Sequence, residues 1–361
     1  MTRLRALLAA LALTLALGAT ACSGSGDPSY PPCPDTALTC PQGGGQSSWA
    51  SPVPLASPTS RGPGSPAAQG MGGSAGPGTS ASPSRSATAT TAVQAAGFPD
   101  ARTTGPRIPL TPHNTGAMSV KTSGTVIRGW DITGSLDIYA NNVTIVDTKI
   151  TSTNWWGINL RPGYSGLRVI HSTITAIPGK GPDNGGEDYA VSNSGDSSIE
   201  VGWSDISVFG NALSMGQGNI HDNYVHDLVA FRNAGGEWQH VDAVISGGGS
   251  TGKLTIRHNT LLNPVAVDRG ASASIGLFSD TGTVTNTVID GNLLAGGAYA
   301  LYGGGDGATG IKVTNNVFST QFHSKSGVYG AVTAWNEGGA GNVWTNNRMA
   351  DGTAITPKPA G

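Results

Sequence analysis

Charge is scarce in this sequence of 361 residues, of which 12% are Asp, Glu, Lys or Arg. The 20 basic residues do not outnumber the 22 acidic ones, and the formal net charge is −2. Nucleic-acid binding domains carry a basic surface excess that attracts phosphates. The composition therefore predicts no nucleic-acid partner and gives no electrostatic help to binding a polyanion.

Long hydrophobic runs are also missing. The longest apolar run, residues 6–17, is too short to span a membrane. Two arginines precede it, and Ala-Thr-Ala-Cys follows at residues 19–22. This pattern is typical of a secretion signal, which we place at residues 1–21. The cleavage site fits an ordinary small-x-small motif, and it also resembles the lipobox of bacterial lipoproteins, in which Cys22 becomes lipidated.

Cysteine is rare, with three residues in the chain. If Cys22 carries lipid, Cys33 and Cys40 remain as a pair that can close a disulfide in an oxidising compartment. With ordinary cleavage, one thiol is left over. Residues 22–95 are mostly Ser, Gly, Pro, Ala and Thr, so they cannot bury enough apolar surface to fold. We interpret them as a tether with a reach of roughly 50 to 200 Å, which predicts a bacterial cell-surface protein held to the membrane only by its lipid.

Glycine and asparagine are abundant in residues 96–361, which we interpret as one folded domain. A short phrase recurs there: an apolar residue, two variable residues, a polar residue, one spacer and another apolar residue. The polar position is held by Thr148, Ser172, Ser204, Asn223, Asn259, Asn292, Asn316 and Asn347, with Trp130 at the first repeat. Asn tolerates the left-handed backbone conformation, so we expect it to form a sharp bend between two strands. The stacked Asn side chains then form a buried ladder along the repeat axis.

A second apolar column lies upstream of each bend and is followed by a Gly-rich turn, as in Ala243-Val244 before Gly247-Gly248-Gly249. Each repeat thus has three short strands, with loops of varying length inserted at one corner. This pattern predicts an all-β, right-handed parallel β-helix of about nine coils. A propeller needs four strands per blade, and helical solenoids need a 3.6-residue apolar period that is absent here. We call the strand before each Gly-rich turn the groove strand.

Long charged insertions end at groove strands in residues 179–189 and 226–242. Asp242 and His240 open one groove strand, Glu237 lies on the loop beside it, and Asp188 opens the groove strand two coils earlier. Two strand spacings would separate Asp188 from Asp242 by roughly 10 Å, near the upper end of the separation in inverting glycosidases. These four residues are the predicted catalytic group. The alternatives are a structural role or calcium binding by the clustered carboxylates; no other cofactor is indicated.

Aromatic residues are few, at 6% of the chain, but several fall on or beside the groove strands. Aromatic faces stack on the apolar faces of sugar rings. The predicted substrate-binding residues are Trp155, Trp156, Tyr189, Trp238, Tyr299 and Tyr302, with His226, Arg232 and Arg269 on groove-side loops. This row favours a polysaccharide or cell-wall glycan as the partner.

Several short motifs resemble the secreted β-helix modules of the pectate-lyase-like superfamily found in actinobacteria. They are residues 97–105, Val225-His226-Asp227-Leu228, His240-Val-Asp242 and Arg257-His258-Asn259-Thr260. The resemblance covers residues 97–351 and implies the fold and a polysaccharide-directed role. Relatives often have His-x-Asp-Gly-Ile-Gln where this chain has His-Val-Asp-Ala-Val-Ile at residues 240–245, so one groove contact of the family is missing.

Two functions follow as expectations. The first is a surface-tethered, monomeric enzyme that hydrolyses a polysaccharide or cleaves it as a lyase. The second is a glycan-binding or structural surface module that uses the same groove without catalysis.

Overall fold

The structure is a computed structural model that describes residues 97–357. Nearly all regular structure in this range is parallel β-strand, with one short 3-10 helix at Val267–Arg269. No helix within the range is long and apolar enough to cross a membrane. The signal sequence, the tether, Cys22, Cys33 and Cys40 lie outside the described residues, so the expectations for them stay predictions.

The strands are short and follow one another closely along the chain. In chain order they are β1 (Thr111–Val120), β2 (Val126–Arg128), β3 (Trp130–Ile138), β4 (Thr144–Val146), β5 (Lys149–Ser152), β6 (Trp156–Leu160), β7 (Leu167–Ile170), β8 (Thr173–Ala176), β9 (Tyr189–Asn193), β10 (Ile199–Gly202), β11 (Asp205–Ser207), β12 (Asn211–Ser214), β13 (Gly218–His221), β14 (Tyr224–His226), β15 (Val241–Ser246), β16 (Leu254–Arg257), β17 (Thr260–Asn263), β18 (Ala271–Leu277), β19 (Thr287–Asp290), β20 (Leu293–Gly296), β21 (Tyr299–Gly303), β22 (Lys312–Thr314), β23 (Val317–Phe318), β24 (Gly330–Thr333), β25 (Val343–Thr345) and β26 (Arg348–Met349).

These strands stack in three columns. The strands before the Asn positions (β2, β4, β7, β10, β13, β16, β19, β22 and β25) form a nine-stranded parallel sheet, which confirms the predicted parallel β-helix of about nine coils. The strands after the Asn positions form the second column and the groove strands the third. Backbone hydrogen bonds join these two columns into one 17-stranded sheet, because β3 pairs with β5 through its first half and with β6 through its second half.

The core consists of apolar residues stacked coil on coil. In the pre-Asn sheet, the strand registers align Ile127, Ile145, Val169, Val201, Ile220, Ile256, Ile289 and Val313. All of these side chains are buried. Each such burial contributes roughly 1.5–3 kcal/mol of transfer free energy, so the stacking of identical positions explains why the phrase repeats.

The predicted Asn ladder is present and buried. The backbone N–H and the side-chain amide of Asn259 both donate to Asn292 Oδ1 at 2.9 Å. The same pair of contacts recurs between Asn292 and Asn316, and between Asn316 and Asn347. Each amide therefore satisfies buried polar groups of its neighbours, as a buried corner requires.

The prediction that Asn itself takes the left-handed conformation is wrong. The residue with positive φ is the one before it: Asp222 at 54°, His258 at 51° and Asn315 at 59°. This preceding residue is exposed or half-buried and of varied type, and Gly291 fills the same position before Asn292. The bend thus falls one residue earlier, and Asn is selected by its buried amide.

The ladder is weaker toward the N-terminal end, as the Ser and Thr positions predict. Only a 3.4 Å contact joins the Ser172 backbone N–H to Ser204 Oγ, and another 3.4 Å contact joins Thr148 to Ser172. A segment formed by residues 97–108 packs outside these corners. It contributes the Gly105 N–H, which donates to the Trp203 carbonyl, and Arg107, which pairs with the buried Asp147 at 2.8 Å.

Candidate functional site

Two predicted catalytic residues, Asp188 and Asp242, lie on groove strands with one coil between them. Asp188 directly precedes β9, and Asp242 is the second residue of β15. The intervening strand β12 begins with Asn211, which is in register with both Tyr189 and Asp242. The Asn211 side-chain amide donates to Asp188 Oδ1 at 2.7 Å and to the His240 carbonyl at 3.1 Å. Asp188, Asn211 and Asp242 form a polar row across three coils.

Asp188 is a buried carboxyl group without a basic partner. Its exposed fraction is 3%, and none of the ion pairs within residues 97–357 includes it. Burial raises the pKa of Asp188 to about 7, against the stabilising hydrogen bond from Asn211. The group therefore gains or loses its proton near neutral pH, as a general acid or base does.

Asp242 is more enclosed, with an exposed fraction of 0%. Neither of its carboxylate oxygens has a hydrogen-bond partner. Burial raises the pKa of Asp242 well above its usual range; nearby Ser272 and Ala273 oppose the shift, while the charge of Asp188 adds to it. Ser272 and Ala273 lie close enough to affect the charge, but neither meets hydrogen-bond geometry, so burial favours the protonated form of Asp242.

Small residues and one ring shape the surroundings of Asp242. A Cβ atom on Gly276 would lie 3.1 Å from Asp242 Oδ1 and 2.2 Å from the Phe278 ring. The absence of a side chain at Gly276 therefore allows the Asp242 carboxyl group and the Phe278 ring to lie close to this backbone. The Phe278 ring in turn lies 5.1 Å from that of Tyr302, whose pKa is raised to about 12 by burial and by the charge of Asp242.

The two charged insertions pack against each other, as their lengths suggested. The Asn184 side-chain amide donates to the Arg232 carbonyl at 3.1 Å, and the Ala234 N–H donates to Asp183 Oδ1 at 2.8 Å. The Phe231 ring fills the space beside Gly186, where a Cβ atom would lie 2.0 Å from it. These contacts hold the segments 179–189 and 231–240 together beside the polar row.

Glu187 is an acidic group that the sequence did not single out. Its exposed fraction is 4%, and burial raises its pKa to about 7, against hydrogen bonds from backbone N–H groups such as that of Lys180 at 3.2 Å. It directly precedes Asp188 in the same charged insertion, and this adjacency was the available signal. Glu187 gives the site a third buried carboxyl group.

The other two predicted catalytic residues are placed differently. Glu237 is exposed on a turn, where its backbone N–H donates to Asn233 Oδ1 at 3.0 Å, so the structure does not bring its carboxylate to the polar row. The His240 ring is partly exposed, and its Nδ1 contacts Ser272 Oγ at 2.9 Å. Surrounding protein atoms still lower the pKa of His240 by desolvation, which disfavours the protonated ring.

The predicted aromatic residues flank the polar row on both sides. Trp155 and Tyr189 meet edge to face at 6.5 Å on one side, and Tyr299 and Tyr302 meet edge to face at 5.6 Å on the other. Trp156 differs, because the Arg161 guanidinium lies over its ring at 4.7 Å.

Three predicted binding residues have their own partners or lie elsewhere. Arg232 stacks over Trp238 at 4.5 Å and donates to the Gly236 carbonyl. Arg269 ends the short 3-10 helix and is exposed. His226 lies on β14, a post-Asn strand, and both of its ring nitrogens contact carboxylates, so the structure does not place it in the groove.

Two hollows border the row. One of about 420 Å³ follows the outer side of β9, β12 and β15 and is lined by Tyr189, Ser192, Ser214, Ile245 and Thr281, among others. The other, of about 360 Å³, is lined by Glu187, Phe231 and Trp238, with neighbouring loop residues. Asp242 borders neither hollow, so side chains beside it, Phe278 among them, must move before a ligand can touch it.

No arrangement of three or more His, Cys, Asp or Glu side chains able to hold a metal ion occurs within residues 97–357. The cluster of carboxylates expected for calcium is therefore not formed in this part of the chain. A comparison of the chain with protein-family models, curated proteins and solved structures found no match in any of the three. The resemblance to the pectate-lyase-like superfamily stays a prediction.

Proposed function

We propose that the chain hydrolyses a polysaccharide held along the groove strands. The observation that carries this proposal is a pair of buried carboxyl groups without an ion pair in residues 97–357: Asp188, which accepts a hydrogen bond from Asn211, and Asp242, which lies in register with Asn211 on the next groove strand. Burying an unpaired carboxyl group costs stability. Pairs of acids whose environments separate their pKa values are typical of acid and base roles in catalysis.

The difference between the two acids assigns their roles. Asp188, with a pKa of about 7, accepts a proton from the attacking water. Asp242, whose ionised form no hydrogen bond stabilises and whose pKa is raised well above its usual range by burial, donates its proton to the leaving glycosidic oxygen. Water then adds across the broken C–O bond. Asp188 is left protonated and Asp242 ionised, the reverse of the starting state. Aromatic pairs on both sides of the row would hold the flanking sugars.

The test is cleavage of a panel of polysaccharides, read by new reducing ends and by absorbance of unsaturated products. A hydrolase gives reducing ends without unsaturation, and a lyase gives both. We expect Asp242→Asn and Asp188→Asn to reduce cleavage by about 10²-fold or more, the range typical of removing a general acid or base. The exposed Asp306→Asn is the matched control. Unchanged cleavage by Asp242→Asn would falsify the assignment.

A second candidate function is glycan binding without catalysis. The enclosure of Asp242, which borders neither hollow, favours it. Retention of the protein by a glycan in affinity gel electrophoresis, together with no cleavage of that glycan, would establish this function in place of hydrolysis.

We also propose that the domain is exported and tethered to the outer face of the membrane through Cys22, as a member of the pectate-lyase-like superfamily. The N-terminal sequence supports the tether, and the parallel β-helix supports the superfamily. Metabolic labelling with palmitate tests the anchor, because Cys22→Ser should abolish labelling and release the protein from the membrane fraction. Equal labelling of both proteins would overturn it.

A further inference from the structure

Resting on the proposed glycan site, we infer that the groove is selective for a neutral glycan, one whose sugars carry hydroxyl groups and no carboxylates. The inference depends on two independent observations: the sign of the charge beside the groove, and a surplus of buried acceptor atoms without donors.

The charge beside the groove is negative above the pKa values of its acids, which are about 7 for Asp188 and Glu187 and about 6 for Asp280. Asp188, Asp242, Glu187 and Asp280 belong to this region, and none of them forms an ion pair within residues 97–357. Elsewhere in the same range several basic residues pair with acids, as Arg161 does with Asp137 at 2.8 Å, whereas Arg232, which lines the smaller hollow, stacks over Trp238. The larger hollow has one charged lining residue, which is the acidic Asp196. A uronate chain laid there would meet like charges, which disfavour binding.

The unpaired polar atoms point the same way. Of the five buried side-chain polar atoms without a hydrogen-bond partner in residues 97–357, four are oxygens: Asp196 Oδ1, Asn211 Oδ1 and both carboxyl oxygens of Asp242, and three of them act as acceptors even while Asp242 keeps its proton. Asp196 lines the larger hollow, whereas Asn211 and Asp242 lie in register on neighbouring groove strands, line neither hollow, and meet a ligand only after side chains beside them move. Buried acceptors require donors. Sugar hydroxyl groups supply donors, whereas each carboxylate of a uronate supplies only acceptors.

The experiment compares polymers that differ only in charge. Neutral glucans, mannans, galactans and xylans are each tested in affinity gel electrophoresis; for those with a free C6 hydroxyl, a counterpart oxidised at C6 to the uronate is run beside it. We expect retention by at least one neutral polymer and at least tenfold weaker binding of its oxidised counterpart, with part of that difference removed by high salt.

A charge-reversed variant sharpens the test. Asp280 is exposed at the groove side and its charge acts on Asp242, so Asp280→Lys should improve binding of the oxidised polymer relative to wild type. Asp351→Lys, an equal charge change at the exposed C-terminal end, should not. Equal or tighter binding of the oxidised polymer by wild type would overturn the inference, and so would failure of every neutral polymer to retain the protein. Binding of a neutral polymer without cleavage would overturn the proposed hydrolysis and leave the selectivity intact. Cleavage of a uronate polymer would support the hydrolysis and overturn the inferred selectivity.

Discussion

Replacing Asp188 by Asn should make the protein more stable at alkaline pH. In the folded protein the pKa of Asp188 is raised from its ordinary 3.8 to about 7, chiefly by burial. The folded state therefore holds this proton more tightly than the unfolded state does. The stabilising contribution of the protonated group is complete below pH 4 and is lost as pH rises through about 7.

The magnitude follows from the shift. About three pH units correspond to ~4 kcal/mol of stability lost between pH 4 and pH 8. Asn has the same shape, and its Oδ1 can still accept the 2.7 Å hydrogen bond from Asn211. The new amide brings two donors that need partners, so we expect a net gain of about 2 kcal/mol at pH 8 and almost none at pH 4.

The assay is equilibrium urea denaturation of the full chain, followed by tryptophan fluorescence between pH 4 and pH 8. Wild type and Asp188→Asn are compared through the transition midpoint at equal slope. Asp306→Asn removes an exposed carboxyl group from a turn and should keep the pH dependence of wild type. If Asp188→Asn follows the same pH dependence as wild type, Asp188 is not a buried acid with a raised pKa, and the argument from its pKa to catalysis is refuted.

Two further predictions concern the ladder and the N-terminal segment. Asn259→Ala should lower the free energy of unfolding by about 2–4 kcal/mol because it leaves buried ladder groups unpaired. Asn219→Ala, on the exposed face of β13, should change it by less than about 0.5 kcal/mol; thermal melting measures both. The His258 ring contacts a carboxylate and the Gly97 carbonyl, both acceptors, and these hydrogen bonds outweigh desolvation and raise its pKa. Raising the pH through that pKa should weaken the anchoring of residues 97–108 and lower the protection of their amides, measured as the exchange rate relative to the intrinsic rate at the same pH. In His258→Gln the protection of these amides should be lower than in wild type at every pH. Equal protection of the wild type at pH 6 and pH 9 would contradict the anchoring role.

The repeat could be predicted because its determinants are local. A strand of three or four residues, a bend and a second strand fit within one phrase, and the Asn position recurs with the same apolar neighbours. The bend residue could not be placed, because positive φ and the buried amide fall on adjacent positions, such as His258 and Asn259. A pattern that repeats both positions together does not say which of them bends.

The site was predictable where it depends on coil counting and unpredictable where it depends on loops. Asp188 and Asp242 occupy groove strands separated by one coil, as the Asn spacing predicts. Glu237 was predicted to belong to the site, but Glu187 is the glutamate that is buried beside it. The turn around Gly185 folds back and buries Glu187, while the turn at residues 233–237 leaves Glu237 exposed. These turns are fixed by contacts between distant insertions, which no local pattern contains.

Within residues 97–357, the chain pairs its buried acids with bases in most places outside the groove. Asp147 is 1% exposed and meets two arginines, Arg107 and Arg128. Asp188 and Asp242 are as deeply buried but have no such partner, although substitution by Asn would remove the cost of burying a charge. A purely structural role for both carboxyl groups does not explain that cost, whereas the proposed proton transfer uses the raised pKa values that burial produces. A variant that gains stability at pH 8 and loses cleavage together would show that the cost is retained for chemistry. If the wild type cleaves no glycan, and Asp188→Asn gains stability and keeps its glycan affinity, then Asp188 has no role in proton transfer. That outcome would favour the glycan-binding module.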